Sequence, residues 1–96
     1  MTEAQFQNKL IKRIKNQFPG SKVLKNDPTY QQGMPDLTVL FGDRWATLEV
    51  KRSASAAKQP NQDYFITELD KMSFAVVVFP ENEEAVFSAL EQAFAA

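Results

Sequence analysis

Apolar residues recur every four positions at Phe6, Leu10, Ile14 and Phe18, with Ile11 beside them. That spacing predicts an amphipathic helix from Glu3 to Phe18. Thr2 stands as its N-cap, with Gln5 three residues on to complete a capping box, and Pro19-Gly20 stops it. Ser21–Asn26 reads as a short strand and Asp27–Met34 as a polar loop containing Pro28 and Gly33. Leu37–Phe41 and Trp45–Lys51 read as two strands around Gly42-Asp43, where a glycine at the first central position suits a two-residue type II′ turn. Ser53–Lys58 is a loop of small residues. Pro60 fits the first position of a second helix running to Lys71, with Phe65, Ile66, Leu69 and Met72 on one face. Phe74–Phe79 is continuously apolar, as in a strand covered on both sides. Asn82 is placed to cap a last helix with Glu83 and Glu84 in its first turn and Val86, Phe87, Leu90 and Phe94 as its buried face. The order is α-β-β-β-α-β-α, an α/β (α+β) domain over residues 1–96 with a mixed sheet flanked by helices.

A two-residue turn at Gly42-Asp43 also fixes which residues face each other. Phe41 faces Arg44, Leu40 faces Trp45, Val39 faces Ala46, Thr38 faces Thr47, Leu37 faces Leu48 and Asp36 faces Glu49. Side chains alternate along a strand. One face therefore carries Leu37, Val39, Phe41, Ala46, Leu48 and Val50, interrupted only by Arg44, and packs on the core. The other carries Asp36, Thr38, Thr47, Glu49 and Lys51. Directly opposed residues have Cβ atoms about 4.5–5.5 Å apart, where like charges are destabilising, so two carboxylates in that relation require a proton or a divalent cation. Lys51, on the face of Glu49, is suited to orienting a water or stabilising a developing negative charge. Two acids, a lysine and a hard cation form a minimal set for phosphodiester hydrolysis. Each fragment alone has a plainer reading. Asp36 can terminate the Pro35 turn, and Glu49-x-Lys51 can be surface patterning on an exposed strand.

Composition narrows the chemistry. The 96 residues include no Cys and no His, which excludes disulfides, thiolate sites, imidazole catalysis and His-bound metals. Any metal is held by oxygen, favouring Mg²⁺ or Mn²⁺. The net charge of −1 is unevenly spread. Residues 1–26 hold six basic side chains (Lys9, Lys12, Arg13, Lys15, Lys22, Lys25) against Glu3 alone, and residues 80–96 hold four acids and no base. A one-sided basic surface suits phosphate binding, with Lys9, Lys12 and Arg13 as candidate contacts. A solvated helix face has the same pattern. The N-terminal MTEAQFQNKL lacks the apolar core of a signal peptide, and no apolar run approaches the 18 or so residues of a membrane span. The expectation is a cytoplasmic protein with neither a membrane partner nor an organic cofactor. A domain of this size buries only about 60% of its unfolded surface, which favours a homodimer.

Pro35-Asp36, twelve residues, then Glu49-Val50-Lys51 resembles the motif of the PD-(D/E)xK nuclease superfamily. The element order is similar to that family's restriction-endonuclease-like core, and Gly33-Met34-Pro35-Asp36-Leu37 resembles the Gly-x-Pro-Asp-Leu of its compact VRR-NUC and Holliday-junction-resolvase-like branch. The resemblance covers roughly residues 3–80. It implies that Asp36 and Glu49 coordinate Mg²⁺, with Mn²⁺ able to substitute and the Val50 carbonyl as a further oxygen ligand, and that Lys51 is catalytic. It also implies an N-terminal helix glutamate, for which Glu3 is the candidate, and a helix glutamine, for which Gln62 is the best match and Gln59 the second. Spacing supports both: Glu3 continues the stripe of Phe6, Leu10 and Ile14, and Gln62 heads the stripe of Phe65, Ile66 and Leu69. Glu3 equally suits a first-turn acid serving the helix dipole. Lys58, Tyr30 and Gln32 are candidate nucleic-acid contacts, and a loop lysine or loop tyrosine also occurs with no such role. The acidic pI of 5.4 departs from a typical junction resolvase.

The reading is a Mg²⁺-dependent endonuclease acting on branched or otherwise structured DNA as a homodimer. Its small size resembles phage or mobile-element nucleases, which work in the host cytoplasm. The competing reading is a DNA-binding module on a nuclease fold that does not cut.

Overall fold

The computed structural model describes residues 1–57 and 61–95. Lys58, Gln59 and Pro60, expected as a phosphate contact, an alternative site glutamine and a helix start, lie outside the described residues. The elements are α1 (Glu3–Gln17), β1 (Lys22–Lys25), β2 (Leu37–Phe41), β3 (Arg44–Val50), α2 (Gln62–Met72), β4 (Phe74–Val78) and α3 (Glu83–Ala95), with a 3₁₀ turn at Pro80–Asn82. This is the α-β-β-β-α-β-α order, an α+β arrangement around one mixed four-stranded sheet. None of the described helices is long and apolar enough to cross a membrane.

The sheet runs β1-β2-β3-β4. β1 and β3 are antiparallel to β2, and β4 lies parallel to β3. The hairpin register is the one the turn dictates, from Phe41 opposite Arg44 to Leu37 opposite Leu48. Gly42 has φ +62° while Asp43 does not have positive φ. A type I′ turn needs positive φ at both central positions and II′ only at the first, so the turn has the II′ pattern.

α1 and α3 pack side by side on one face of the sheet. Phe6, Leu10, Ile14 and Phe18 from α1 and its C-cap, Leu37, Val39, Ala46, Leu48, Val50 and Val78 from the strands, and Val86, Phe87, Leu90 and Phe94 from α3 form one buried cluster. Fully burying a side chain such as Leu10 or Leu48 stabilises the fold by about 1.5–3 kcal/mol. Phe18, Phe41 and Phe94 close one end of this layer, with ring centroids 5.2–5.6 Å apart. The capping box of α1 forms as expected: Thr2 N donates to Gln5 Oε1 and Gln5 N to Thr2 Oγ1.

α2 covers the other face, over β4 at the edge of the sheet. There Asp70 Oδ1 accepts from Ala75 N, and the Ser73 hydroxyl donates to the Trp45 carbonyl. Three expectations are corrected. Met72 is 70% exposed rather than part of a buried face, because α2 rests on an edge strand and its Phe65, Ile66 and Leu69 are only half-buried. α2 starts at Gln62, preceded by Asn61 in the left-handed region at φ 68°, a conformation asparagine tolerates better than most residues. Asn82 does not cap α3. Its amide turns back to accept from Phe79 N and donate to Val77 O, fixing the exit of β4.

The separated basic and acidic segments also meet. Arg13 Nη1 lies 2.6 Å from both Glu83 Oε2 and Glu84 Oε2, Lys9 Nζ lies 3.5 Å from Glu83 Oε1, and the guanidinium sits 4.0 Å over the Phe87 ring. The basic side of α1 is therefore partly neutralised by the first turn of α3, its neighbour on the same sheet face.

Candidate active site

Asp36 stands one residue before β2, behind the buried Pro35. It is not a ladder partner of Glu49. Instead its Oδ2 accepts from Val50 N at 2.8 Å, clamping its carboxylate against β3. The N–H and C=O of a strand residue point to the same side, so the Val50 carbonyl is turned to the Asp36 side as well. Asn26 braces this segment: its backbone N donates to the Asp36 carbonyl at 2.8 Å, and its side chain donates to the Pro35 carbonyl and Thr38 Oγ1 at 2.8 and 2.9 Å.

Glu49 and Lys51 lie on the face of β3 that α2 covers, and both are buried, at 4% and 7% exposure. That excludes surface patterning on an exposed strand. Gln62, the one buried residue of α2, donates from Nε2 to Glu49 Oε2 at 2.5 Å, and Lys51 Nζ lies 3.3 Å from the same oxygen. Glu49 Oε2 is thus held by Gln62 and Lys51, and Asp36 Oδ2 by the Val50 amide. Burial, then the charge of Asp36, push the Glu49 carboxyl up to about 7, against a smaller opposing pull from Lys51. The carboxylates repel through a poorly solvated space, the condition that a cation or proton relieves.

These groups line an open cavity of about 420 Å³. Its wall includes Glu3, Gln32, Gly33, Met34, Asp36, Glu49, Lys51, Arg52 and Gln62. Glu3 therefore reaches the same cavity from the first turn of α1, but from its exposed rim. Among the described residues no three acidic side chains stand close enough together to hold a metal as a set. The two carboxylates at the cavity, Asp36 and Glu49, are oxygen donors, a chemistry that fits a hard cation better than a soft one.

Other expected contacts are dispersed. Gln32 lines the cavity, and Tyr30 sits on the neighbouring loop at 88% exposure. Lys9 and Arg13 are engaged with Glu83 and Glu84 on the helical side of the sheet, and Lys12 is exposed on the same helix. Two features were missed in the sequence. Arg52 lines the cavity beside Lys51, signalled only by its adjacency. Gly33, at φ +91°, sits so close to α2 that a Cβ there would lie 2.7 Å from Asn61 Cβ and 3.0 Å from the Phe65 ring. Neither contact has a periodic signature. Comparisons with protein-family models, curated proteins and solved structures gave no match.

Proposed function

We propose that this chain is a Mg²⁺-dependent endonuclease hydrolysing DNA phosphodiester bonds, on a restriction-endonuclease-like core of the PD-(D/E)xK type. The observation that carries the reading is the buried pair Glu49–Lys51, with Gln62 on the same Glu49 oxygen and Asp36 clamped across from it at an open cavity. A carboxyl raised by burial and by a neighbouring acid, at the wall of a cleft, is the pattern of a functional site.

Asp36 and Glu49 would hold the cation, with the Val50 carbonyl beside them and Glu3 adding negative charge at the rim. When bound, Mg²⁺ or Mn²⁺ supplies Lewis-acid polarisation of the phosphoryl oxygen and lowers the pKa of water. Lys51, held by Glu49, places its ammonium where negative charge develops on the phosphate. Gln62 fixes the Glu49 carboxylate in one orientation, and Arg52 offers a second cationic group for the DNA backbone. A homodimer supplies two sites for two strands. The exposed Leu24 and Leu40, at 49% and 40% on the β1–β2 side of the sheet away from α2, leave room for a covering partner, and sedimentation tests it.

The experiment is cleavage of plasmid, flap and junction DNA with Mg²⁺ and with Mn²⁺, comparing the native chain with Asp36→Asn and Lys51→Ala. Loss of activity in both variants, with DNA binding retained, supports the reading. Undiminished cleavage by Asp36→Asn refutes the site. DNA binding by the native chain without turnover in either metal supports the alternative of a non-cleaving DNA-binding module.

A further inference from the structure

Beside the carboxylate cavity lies a second hollow of about 360 Å³, lined by Asn26, Asp27, Tyr30, Gln31, Met34 and Phe65. Met34 lines both, so the two adjoin at one side chain. Residues 27–34 form the ridge between them, with Pro28, Gln32 and Gly33 turned to the carboxylates and Tyr30 and Gln31 to the second hollow.

The hollow is lined by two aromatic rings. Tyr30 is 88% exposed, and Phe65 is braced edge-on by Tyr64 at 5.3 Å between centroids. The ridge is held in shape. Thr29 donates through its backbone N and its hydroxyl to Asp27 Oδ1 at 2.8 and 2.6 Å, Tyr30 N to Asp27 O at 3.3 Å and Met34 N to Gln31 O at 3.3 Å. Gly33 wedges its far end against Asn61.

Charge selects the occupant. Among the described residues no Lys or Arg lines this hollow. The acid among them, Asp27, is kept in the charged form by the two Thr29 hydrogen bonds. An anionic rim repels a phosphate or an acidic peptide, and accepts from the amino edge of a base. Aromatic faces stack with any nucleobase regardless of sequence.

We propose that this hollow is a nucleobase subsite. It takes one unpaired base of the bound strand, stacked on Tyr30 and resting on Met34 and Phe65, while the adjoining phosphate enters the carboxylate cavity. A base inside a duplex cannot present its face to Tyr30. The preferred substrate is therefore DNA with an unpaired nucleotide next to the cleaved bond, such as a flap, a bulge or a single-strand/duplex boundary. The inference rests on the nuclease reading for what the neighbouring cavity does, but its test does not need cleavage.

The test is fluorescence anisotropy in EDTA at fixed salt, using the full chain and two DNAs of one sequence, a fully paired duplex and the same duplex with a single unpaired 2-aminopurine. Tyr30→Ala is expected to weaken binding of the unpaired-base DNA about 5- to 100-fold and to leave duplex binding unchanged. Tyr30→Phe is expected to restore native affinity. The salt dependence is expected to be the same in all three proteins, because stacking releases no counterions. Quenching of 2-aminopurine by the native chain and Tyr30→Phe, absent in Tyr30→Ala, places the base on the ring. Equal loss on both DNAs, no loss on either, or failure of Phe to rescue overturns the subsite while leaving metal-dependent cleavage intact. Tight binding of an apolar or acidic peptide at this hollow, with no preference for unpaired DNA, also overturns it. If native protein binds no DNA of any shape, in EDTA or with Ca²⁺ in its place, the subsite fails, and the Mg²⁺ and Mn²⁺ cleavage panel decides the nuclease reading separately.

Discussion

Glu49→Gln separates what the site does for the fold from what it does for chemistry. In the native chain the Glu49 carboxyl is pushed from 4.5 to about 7 by burial and by Asp36. A raised carboxyl pKa means that the folded state holds its proton more tightly than the unfolded chain does. The associated stability is fully present below about pH 4.5, drains away as pH rises, and is gone above about 7. Keeping the group ionised in the metal-free fold therefore costs about 3 kcal/mol at pH 8. Glutamine removes the charge and keeps the shape. Its amide oxygen can accept from Gln62 while its NH₂ faces Asp36, although Lys51 loses its nearest anion. That loss is expected to trim the gain to about 1–3 kcal/mol. The assay is thermal unfolding in EDTA at pH 5 and pH 8. In a domain of this length each kcal/mol moves Tm by about 4–8 °C, so the variant should match the native chain at pH 5 and melt several degrees higher at pH 8. Mn²⁺ should reverse the order at pH 8 by stabilising only the native chain. A difference in Tm that does not change with pH refutes the reasoning, because the Glu49 carboxyl would then not be strained by its surroundings.

Gly33→Ala brings a Cβ within 2.7 Å of Asn61 at a backbone φ of +91°. It is expected to cost about 2–4 kcal/mol, read by urea unfolding. It should reduce kcat beyond that loss, because Asn61 leads directly into Gln62; full specific activity would contradict this. Arg13→Ala leaves the buried Glu83 facing only Lys9 and is expected to destabilise by about 1–2 kcal/mol, with DNA affinity unchanged in anisotropy titrations. Thr47→Val removes a buried hydroxyl that has no hydrogen-bond partner among the described residues, and Tm is expected to rise with a gain of about 1 kcal/mol.

What was legible in the chain was what periodicity and turn chemistry control. The α1 stripe and its capping box, the II′ turn, the hairpin register and the α3 face all follow from spacing and from glycine's freedom at position 42. The grouping of the candidate residues was legible because the register brought Asp36, Glu49 and Lys51 to one end of the hairpin. What escaped was set by tertiary contact. The Asp36 carboxylate bonds to the Val50 amide instead of standing in the ladder. The Glu49 face is buried because α2 lies over it, and nothing in the alternation of β3 reveals that cover. Met72 sits in phase with Phe65 and Leu69, yet the edge of the sheet ends before reaching it. Asn82 has the residue type of a helix cap, but its amide is recruited by the end of β4. The charge asymmetry was real in sequence and partly cancelled in space, because α1 and α3 are neighbours.

The parallel pairing of β3 with β4 sets an order of assembly. The β2–β3 hairpin closes through local contacts, whereas β4 can pair only after the whole α2 crossover has been placed, and distant pairings of this kind form slowly. Asp36 and Glu49 belong to the early hairpin, but Gln62 arrives with α2, and Lys51 N is fixed only when it donates to the Val78 carbonyl at 2.9 Å. Trp45, the single tryptophan, alternates onto the α2-facing side of β3 with Thr47 and Glu49, so its indole fluorescence is expected to follow the docking of α2 and β4. Stopped-flow refolding should show recovery of cleavage lagging behind secondary structure and coinciding with the Trp45 signal. On the proposed function, Asp36 and Glu49 would gain Gln62 and a fixed Lys51 only once that last strand has docked, so a half-folded chain would lack the complete candidate site.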